Sequence, residues 1–212
     1  MFSSWQASYL YKDFEIISED VKYEGHFKVL IQNLRFRMFA GGWSQVIKRE
    51  RVIIEAAVAV LLYHPAEDAV LLVEQFRPGA IKHENNIDSP WLLEPVAGII
   101  EIGDTIEETA KREVEEESGC VVLDLIPICK YLVSPGISNE IVHVMCGRIN
   151  NYDLSYTYGL ISESEEIKIH ILPVAKAFDL LENNKIIAAS SIIALQWLKI
   201  NIQNVRDRWE NT

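Results

Sequence analysis

Residues 98–120 have the sequence GIIEIGDTIEETAKREVEEESGC, in which six glutamates lie between positions 107 and 117. The spacing of polar and apolar residues predicts a helix over about residues 105–118. Asp104 and Glu107 have the pattern of a capping box, in which the first residue caps the helix and the later carboxylate bonds back to it. Gly119 then supplies the left-handed conformation that commonly ends a helix.

The inward face of this predicted helix changes from apolar to acidic along its length. At about 100° per residue, Ile106 and Ala110 define one stripe. Glu113 and Glu117 fall close to the same stripe, and Glu116 flanks it. Carboxylates that face a protein core are costly to desolvate, and Mg²⁺ accepts carboxylate oxygens, so bound cations explain the pattern better than chance does. A solvated, charged helix face is the alternative.

Composition limits the classes of partner and of compartment. The formal net charge is -11 and no run of Lys or Arg occurs, so nucleic acid is not an expected partner. No apolar stretch reaches the roughly 20 residues that a membrane-spanning helix needs, and the N-terminus lacks the pattern of a secretion signal. The three cysteines have no CxxC spacing, which predicts buried thiols in a reducing cytoplasm.

Alternating segments at the start of the chain predict an N-terminal β region over residues 1–52. Residues 14–38 are expected to form strands separated by a turn at Gly25, and a second strand pair is expected around Gly41 and Gly42. An antiparallel arrangement follows, because such short turns join antiparallel strands.

The second predicted domain covers residues 53–212. It opens with a nearly continuous apolar run at residues 53–62, which is typical of a strand buried on both faces. Further strands are predicted at residues 69–73, 91–96, 123–133 and 141–149, and further helices at residues 174–182 and 188–203. Because strands and helices are mixed without an internal repeat, the predicted fold class is α+β.

The glutamate-rich segment resembles the box of the Nudix hydrolase family, G-x5-E-x7-R-E-U-x-E-E-x-G-U, where U is a bulky aliphatic residue. The matching positions are Gly98, Arg112, Glu113, Val114, Glu116, Glu117 and Gly119. Asp104 replaces the first Glu of the pattern, from where it can still pair with Arg112, and Cys120 replaces the last aliphatic residue. The resemblance implies the Nudix fold, a mixed β-sheet sandwiched between helices.

Flanking segments resemble the ADP-ribose pyrophosphatase branch of that family, and the similarity extends over nearly the whole chain. They are WLLEPVAG at residues 91–98, SPG at 134–136 followed by Glu140, and ALQWL at 194–198. The resemblance implies hydrolysis of ADP-ribose to AMP and ribose 5-phosphate with Mg²⁺ as cofactor, for which Mn²⁺ is a substitute. It also implies a homodimer, with the N-terminal β region in dimerisation and in substrate contacts.

The resemblance also assigns the metal and catalytic residues. It implies metal contacts from the Ala97 carbonyl, Glu113, Glu116, Glu117 and Glu165. Glu163 is implied to activate water, and Arg112 and Glu116 join it in the catalytic set. The acidic loop at residues 159–166 leaves the choice among Glu163, Glu165 and Glu166 open, because its register can slip by one or two positions. A loop of acidic surface residues is the alternative.

Recognition of a diphosphate next to so many carboxylates requires cationic side chains. Arg49, Arg51 and Arg77 are the candidates, because a guanidinium can fork onto phosphate or stack on adenine. A surface salt bridge is the alternative for Arg51 and for Arg77. The resemblance adds Glu140, together with His26 and Phe27 at the place where related enzymes put a ring against adenine, although Phe27 fits a core position equally well.

Three alternatives to ADP-ribose hydrolysis remain open from the sequence. The substrate could be another nucleoside diphosphate sugar, such as ADP-glucose or GDP-mannose, because the box specifies the bond broken and leaves the sugar undetermined. The chain could bind ADP-ribose without hydrolysing it, although all three box glutamates are present. A scaffold dimer with a solvated acidic helix would show no magnesium dependence.

Overall fold

The computed structural model describes residues 5–81, 89–154, 157–159 and 166–209 of the chain. The chain divides into two compact units, Met1–Ile54 with Leu132–Glu140, and Glu55–Tyr131 with Ile141–Thr212. The sequence prediction placed the boundary two residues earlier and assigned residues 132–140 to the C-terminal domain.

The first unit contains a three-stranded antiparallel sheet in the order β1 (Phe14–Glu24), β2 (Lys28–Phe36) and β3 (Ile47–Ile53). The predicted turn at Gly25 joins β1 to β2. Gly41 and Gly42 have φ values of 92° and 76°, which glycine adopts at no steric cost, and they lie in the connection from β2 to β3.

Hydrogen bonds connect the two chain segments that make up the first unit, Met1–Ile54 and Leu132–Glu140. The Val52 N–H donates to the Ile137 carbonyl at 2.7 Å. The Asn139 side chain accepts from the Ile54 N–H at 2.9 Å and donates to the Ile54 carbonyl at 3.1 Å. These bonds join residues 85 positions apart, so no local sequence pattern could have indicated them.

The second unit contains a seven-stranded mixed sheet and three helices. The strands are β4 (Ala57–His64), β5 (Ala69–Phe76), β6 (Trp91–Glu94), β7 (Val96–Ile99), β8 (Asp124–Leu132), β9 (Ile141–Arg148) and β10 (Lys168–Pro173). The helices are α1 (Ile106–Ser118), α2 (Val174–Glu182) and α3 (Ala189–Trp209). The main strand order is β10-β5-β4-β9-β8, while β6 pairs with β5 and β7 with β4. β4 is parallel to β9 and antiparallel to β5 and β7.

The two faces of β4 are buried in two different hydrophobic clusters, as the apolar run predicted. Ala59, Leu61 and Tyr63 pack with residues of α2 and α3, whereas Val58, Val60 and Leu62 pack with Ala110 and Val114 of α1. Successive strand residues point to opposite faces, so α1 covers one face of the sheet and the other two helices cover the other. The predicted α+β fold, a mixed sheet sandwiched between helices, is therefore confirmed.

The apolar run at residues 53–62 does not form one strand. Ile53 ends β3 in the first unit, and β4 begins only at Ala57 in the second. Periodicity could not detect the break, because the residues on both sides of it are apolar. The short strand β10 was not predicted either, since its sequence KIHILP follows the acidic loop without a turn signal.

The last helix is longer than predicted, reaching Trp209 instead of residue 203. Tertiary contacts hold its polar final turns. Arg206 Nε donates to Asp68 Oδ1 at 3.0 Å, and Trp209 Nε1 donates to Asp124 Oδ2 at 2.8 Å. Burial opposes the ionisation of Asp68, but hydrogen bonds from Arg206 and Tyr63 outweigh it and lower the pKa of this carboxyl.

Two of the three predicted buried thiols are buried, and the prediction for the third is wrong. Cys120 and Cys146 lie in the core, and burial raises the pKa of both thiols. Cys129 is exposed, because it lies in β8, the last strand of the main sheet order. Within the described residues, no helix combines the length and the apolar character needed to cross a bilayer.

The capping box of α1 lies one residue later than predicted. Thr105, not Asp104, is the N-cap: its Oγ1 accepts from the Glu108 N–H at 3.2 Å, and Glu108 Oε2 accepts from the Thr105 N–H at 2.9 Å. These bonds to Thr105 lower the pKa of the Glu108 carboxyl. The overlapping patterns D-x-x-E and T-x-x-E satisfy the same sequence rule, so only the backbone path could choose between them. Gly119 ends the helix with φ 63°, as predicted.

We expect Thr105→Ala to lower the free energy of unfolding by about 1 kcal/mol, since it removes one hydrogen bond from the first turn of α1. Asp104→Ala should change it by less than about 0.5 kcal/mol. Urea denaturation followed by circular dichroism measures both. The reverse ranking would show that Asp104 is the cap after all.

Candidate active site

The four glutamates in the second half of α1 differ sharply in exposure. Glu117 is 6% exposed, and the Glu113 side chain is 13% exposed. Glu116 lies at the edge of the stripe with 41% of its side chain exposed, and Glu115 points to solvent. The helix therefore carries two largely buried carboxylates on the face predicted to be acidic and inward.

The two buried carboxylates lie against strand β7. The Ala97 N–H donates to Glu117 Oε2 at 3.2 Å. A Cβ atom added to Gly98 would lie 1.9 Å from the Glu113 carboxyl carbon, so only glycine leaves room for the glutamate to approach the strand. Gly98 pairs with Val58 of β4, which places this contact at the centre of the sheet.

Arg112 partly neutralises the acidic cluster. Its Nη1 lies 2.8 Å from Glu113 Oε1 and 3.1 Å from Glu116 Oε2. Burial opposes the charge of Arg112, but the two carboxylates outweigh it and raise the pKa of the guanidinium. The suggested pairing of Asp104 with Arg112 is wrong, because Arg112 reaches forward along the helix to these two glutamates instead.

The donor set at this site fits a hard divalent cation such as Mg²⁺. Glu113, Glu116, Glu117 and the Ala97 carbonyl are all oxygen donors, and two of the carboxylates are largely buried. Within the described residues, no three His, Cys, Asp or Glu side chains by themselves form a group able to hold a metal ion. Mg²⁺ does not require such a group, because it is commonly held by one or two carboxylates together with water and substrate phosphate.

The predicted acidic loop is described only at its two ends. Glu163 and Glu165 lie outside the described residues, while Glu166 is described and exposed. Tyr158 and Ile167 form an isolated antiparallel bridge at the base of the loop.

Arg77 forms a salt bridge, which was the alternative to its predicted contact with the substrate. Its Nε lies 2.5 Å from Glu94 Oε2, and the Glu94 side chain is only 14% exposed. Glu94 is a residue to which the sequence analysis gave no role, although it lies in the quoted segment at residues 91–98. No local sequence pattern could have indicated this contact, because Glu94 comes close to Arg77 only through the pairing of β6 with β5.

The other predicted substrate residues belong to the first unit. Arg51 Nη1 donates to Oε1 of the buried Gln32 at 3.1 Å, whereas Arg49 Nη1 donates to the Lys48 carbonyl at 2.9 Å. His26 is exposed and Glu140 is half-buried. Phe27 is 41% exposed with its ring 5.6 Å from that of Tyr23, so the core alternative for Phe27 is wrong.

The chain is similar to known proteins over most of its length. The NUDIX domain model matches residues 54–197 of the chain. An ADP-ribose pyrophosphatase of Haemophilus influenzae is 38% identical over 201 residues, which cover 95% of this chain and 93% of that protein. An ADP-ribose pyrophosphatase of Escherichia coli K12 is 36% identical over 197 residues, which cover 93% of each chain.

A crystal structure of an ADP compounds hydrolase shares the fold with a TM-score of 0.69 at 21% sequence identity, covering 94% of this chain and 100% of that chain. The family match at residues 54–197 includes the helix with its buried glutamates and Gly98, which leaves room for Glu113. By family match and by nearly full-length similarity, this chain belongs to the NUDIX hydrolase family.

Proposed function

We propose that this protein hydrolyses the diphosphate of ADP-ribose to give AMP and ribose 5-phosphate. The observation that carries the proposal is the extent of the similarity. The ADP-ribose pyrophosphatases of Haemophilus influenzae and Escherichia coli K12 match 95% and 93% of the chain, so the similarity includes the first unit as well as the NUDIX domain. A similarity limited to the catalytic helix would identify the bond broken without indicating the nucleotide.

The reaction places distinct demands on the residues of the site. The water oxygen attacks one phosphorus, the bond from that phosphorus to the bridging oxygen breaks, and the water proton passes to a carboxylate. We assign that carboxylate to the acidic loop, with Glu163 first and Glu165 and Glu166 as alternatives. Arg112 holds Glu113 and Glu116 in place beside the buried Glu117.

NUDIX hydrolases generally use divalent cations, and we propose Mg²⁺ for this chain, with Mn²⁺ as a substitute. Glu113, Glu116, Glu117, Glu165 and the Ala97 carbonyl would hold it. Bound there, it would offset the charge of the diphosphate and make the attacking water more acidic. We further propose that Arg77, Arg49, Arg51, Glu140, His26 and Phe27 contact the nucleotide sugar.

The test is a substrate panel. Purified protein is incubated with Mg²⁺ and ADP-ribose, ADP-glucose or GDP-mannose, and the products are identified by chromatography and mass spectrometry. AMP and ribose 5-phosphate formed with the highest kcat/KM from ADP-ribose support the proposal. A higher kcat/KM for another nucleotide sugar would reassign the substrate, and ADP-ribose binding without turnover would identify a binding protein.

We also propose a homodimer formed through the first unit. All eleven residues of β1 are exposed, including Ile16, Ile17, Val21 and Tyr23, and β1 is an edge strand of its sheet. Exposed apolar surface on an edge strand favours association with another chain. Light scattering should give twice the chain mass of 24.2 kDa, and Ile16→Lys with Val21→Lys should shift it toward the monomer. A monomeric unmodified protein would contradict the proposal.

We propose the cytoplasm as the compartment. All three cysteines are free thiols, which is typical of a reducing environment. Cell fractionation with an antibody to the chain tests this, and recovery in a secreted fraction would refute it.

A further inference from the structure

We propose that Glu94 is a positioning residue, which holds the guanidinium of Arg77 so that its terminal nitrogens can bind a phosphate of the substrate. This inference rests on the proposed function, because it assumes that the substrate carries a diphosphate and that Arg77 contacts it. Glu94 itself touches neither the diphosphate nor the cation in this proposal. Its effect on the reaction passes through Arg77.

The contact occupies the part of the guanidinium that a phosphate does not need. Arg77 Nε donates to Glu94 Oε2 at 2.5 Å. In the part of the chain that the structure describes, no hydrogen bond involves the two Nη atoms of Arg77. Most of the N–H groups of a guanidinium are on its Nη atoms, and these can fork onto two phosphate oxygens. Glu94 therefore holds the side chain and leaves its phosphate-binding end available.

Glu94 lies deeper in the protein than Arg77. The Glu94 side chain is 14% exposed, whereas that of Arg77 is 37% exposed. A carboxylate in this position is costly to leave without a cation, so the pair favours one arrangement of the arginine. The guanidinium at the other end of the pair lies where a ligand can reach it.

The backbone next to Arg77 is attached to the same strand as its side chain. The Arg77 N–H donates to the Pro90 carbonyl at 2.8 Å. Phe76, the preceding residue, pairs with Trp91 of β6, and the centroids of the two rings lie 5.0 Å apart. Main chain and side chain thus both connect Arg77 to residues 90–94.

Glu94 points to the sheet face that α1 covers. It lies opposite Val73 in an antiparallel pair of strands, and residues directly opposite each other have their side chains on the same face. Val73 belongs to the hydrophobic cluster that contains Ala110 and Val114 of α1. The pair of Glu94 and Arg77 is therefore on the same side of the sheet as the two buried glutamates of that helix.

The segment that holds Arg77 also carries a proposed cation contact. Glu94 precedes Ala97, whose carbonyl is proposed to contact the cation, by three residues. Three residues of chain span at most about 11 Å. A cation and an arginine that both contact one diphosphate must keep a fixed separation, because a displacement of about 1 Å can cost about 100-fold in rate. Glu94 provides that fixed separation.

The test compares Glu94→Ala with Glu74→Ala. Glu74 is a matched control in β5: its Oε2 lies 2.7 Å from His170 Nε2, and it pairs with Leu93, which packs on the other sheet face. Glu94→Ala should lower kcat/KM for ADP-ribose by about 10- to 100-fold, with the Mg²⁺ concentration for half-maximal rate changed by less than about threefold. Glu74→Ala should leave kcat/KM within about threefold. A raised Mg²⁺ requirement in Glu94→Ala would contradict the inference, because it would place the effect on the cation.

Glu94→Gln separates the position of Arg77 from the charge of Glu94. The glutamine oxygen can still accept from Arg77 Nε, so kcat/KM should stay within about fivefold of that of the unmodified protein. A fall as large as that of Glu94→Ala would show that the negative charge itself is required, which would overturn the inference.

A double-mutant cycle shows whether Glu94 acts through Arg77. The combination of Glu94→Ala with Arg77→Ala should be no slower than Arg77→Ala alone, because Glu94 then has no guanidinium to position. Additive losses would refute the inference. Calorimetry with an ADP-ribose analogue, in which a methylene group replaces the bridging oxygen, measures binding without turnover. Both single variants should weaken its binding by a similar factor of at least about fivefold, and unchanged affinity of Glu94→Ala would also refute the inference.

The two proposals fail in distinguishable ways. If the unmodified protein does not hydrolyse ADP-ribose, the proposed function fails. If it does and Glu94→Ala is as active as Glu74→Ala, only the role of Glu94 fails. Thermal denaturation shows whether each variant is folded. Should Glu94→Ala not fold, Glu94→Asp replaces it in the same test, because it keeps the charge but withdraws the carboxylate by one methylene group, and it should lower kcat/KM about tenfold.

Discussion

Glu117→Gln is expected to lower kcat for ADP-ribose about 1,000-fold, which corresponds to the loss of about 4 kcal/mol of charge stabilisation in the transition state. The side chain is 6% exposed and lies against strand β7. An amide of the same size supplies one neutral oxygen in place of a carboxylate, and is a weaker donor to a cation.

Folding should survive this substitution. The glutamine oxygen can still accept from the Ala97 N–H, which is the bond that Glu117 Oε2 makes at 3.2 Å. Removing a buried negative charge also removes its desolvation cost, so we expect the free energy of unfolding to change by less than about 1 kcal/mol or to rise. Urea denaturation measures the stability, and steady-state kinetics with a Mg²⁺ titration measures the activity.

Glu115→Gln is the matched control, because Glu115 lies on the same helix and points to solvent. It should keep kcat within about twofold, since it removes the same charge from the chain without reaching the site. Near-normal turnover of Glu117→Gln, or an equal fall in kcat in the two variants, would show that Glu117 is not a metal ligand.

Gly98→Ala is expected to lower kcat/KM about 100-fold, because a Cβ atom there would lie 1.9 Å from the carboxyl carbon of Glu113. The glutamate must move away from strand β7, and its bond to Arg112 at 2.8 Å must rearrange with it. Assays over a range of Mg²⁺ concentrations should show a higher requirement for the metal. A crystal structure of the variant should show Glu113 displaced.

Gly79→Ala provides the control for this second experiment. Among the residues that the structure describes, no atom outside its chain neighbours lies within 4 Å of a Cβ atom added to Gly79, so the added methyl group meets none of them. Its activity should stay within about twofold of the unmodified protein. Unchanged kcat/KM in Gly98→Ala would show that Glu113 does not need the close approach to β7.

Much of the site could be predicted because its residues lie within one helix and the strand before it. Glu113 and Glu117 are four residues apart, and helical periodicity alone puts them on one face. Gly98 stands at a fixed distance before them in the sequence, so the family pattern includes it. Local geometry was sufficient for these residues.

Contacts between distant segments were not predictable in this way. Glu94 holds Arg77 because β6 pairs with β5, and Tyr158 touches Gly119 because a later segment folds back on the end of α1. The choice of Thr105 over Asp104 as cap depends on the backbone path before α1, where Gly103 has φ 104°. Each depends on the positions of atoms that the linear pattern does not relate.

The sequence by itself determined the acidic face of α1, the burial of β4 on both sides and the family to which the chain belongs, because each is expressed in the spacing of nearby residues. Only the tertiary structure decided which carboxylate each arginine meets, where the apolar run at residues 53–62 divides between two units, and that Tyr158 rests on the end of α1. Those outcomes depend on packing between segments far apart in the chain, where the free energy of many weak contacts selects one arrangement.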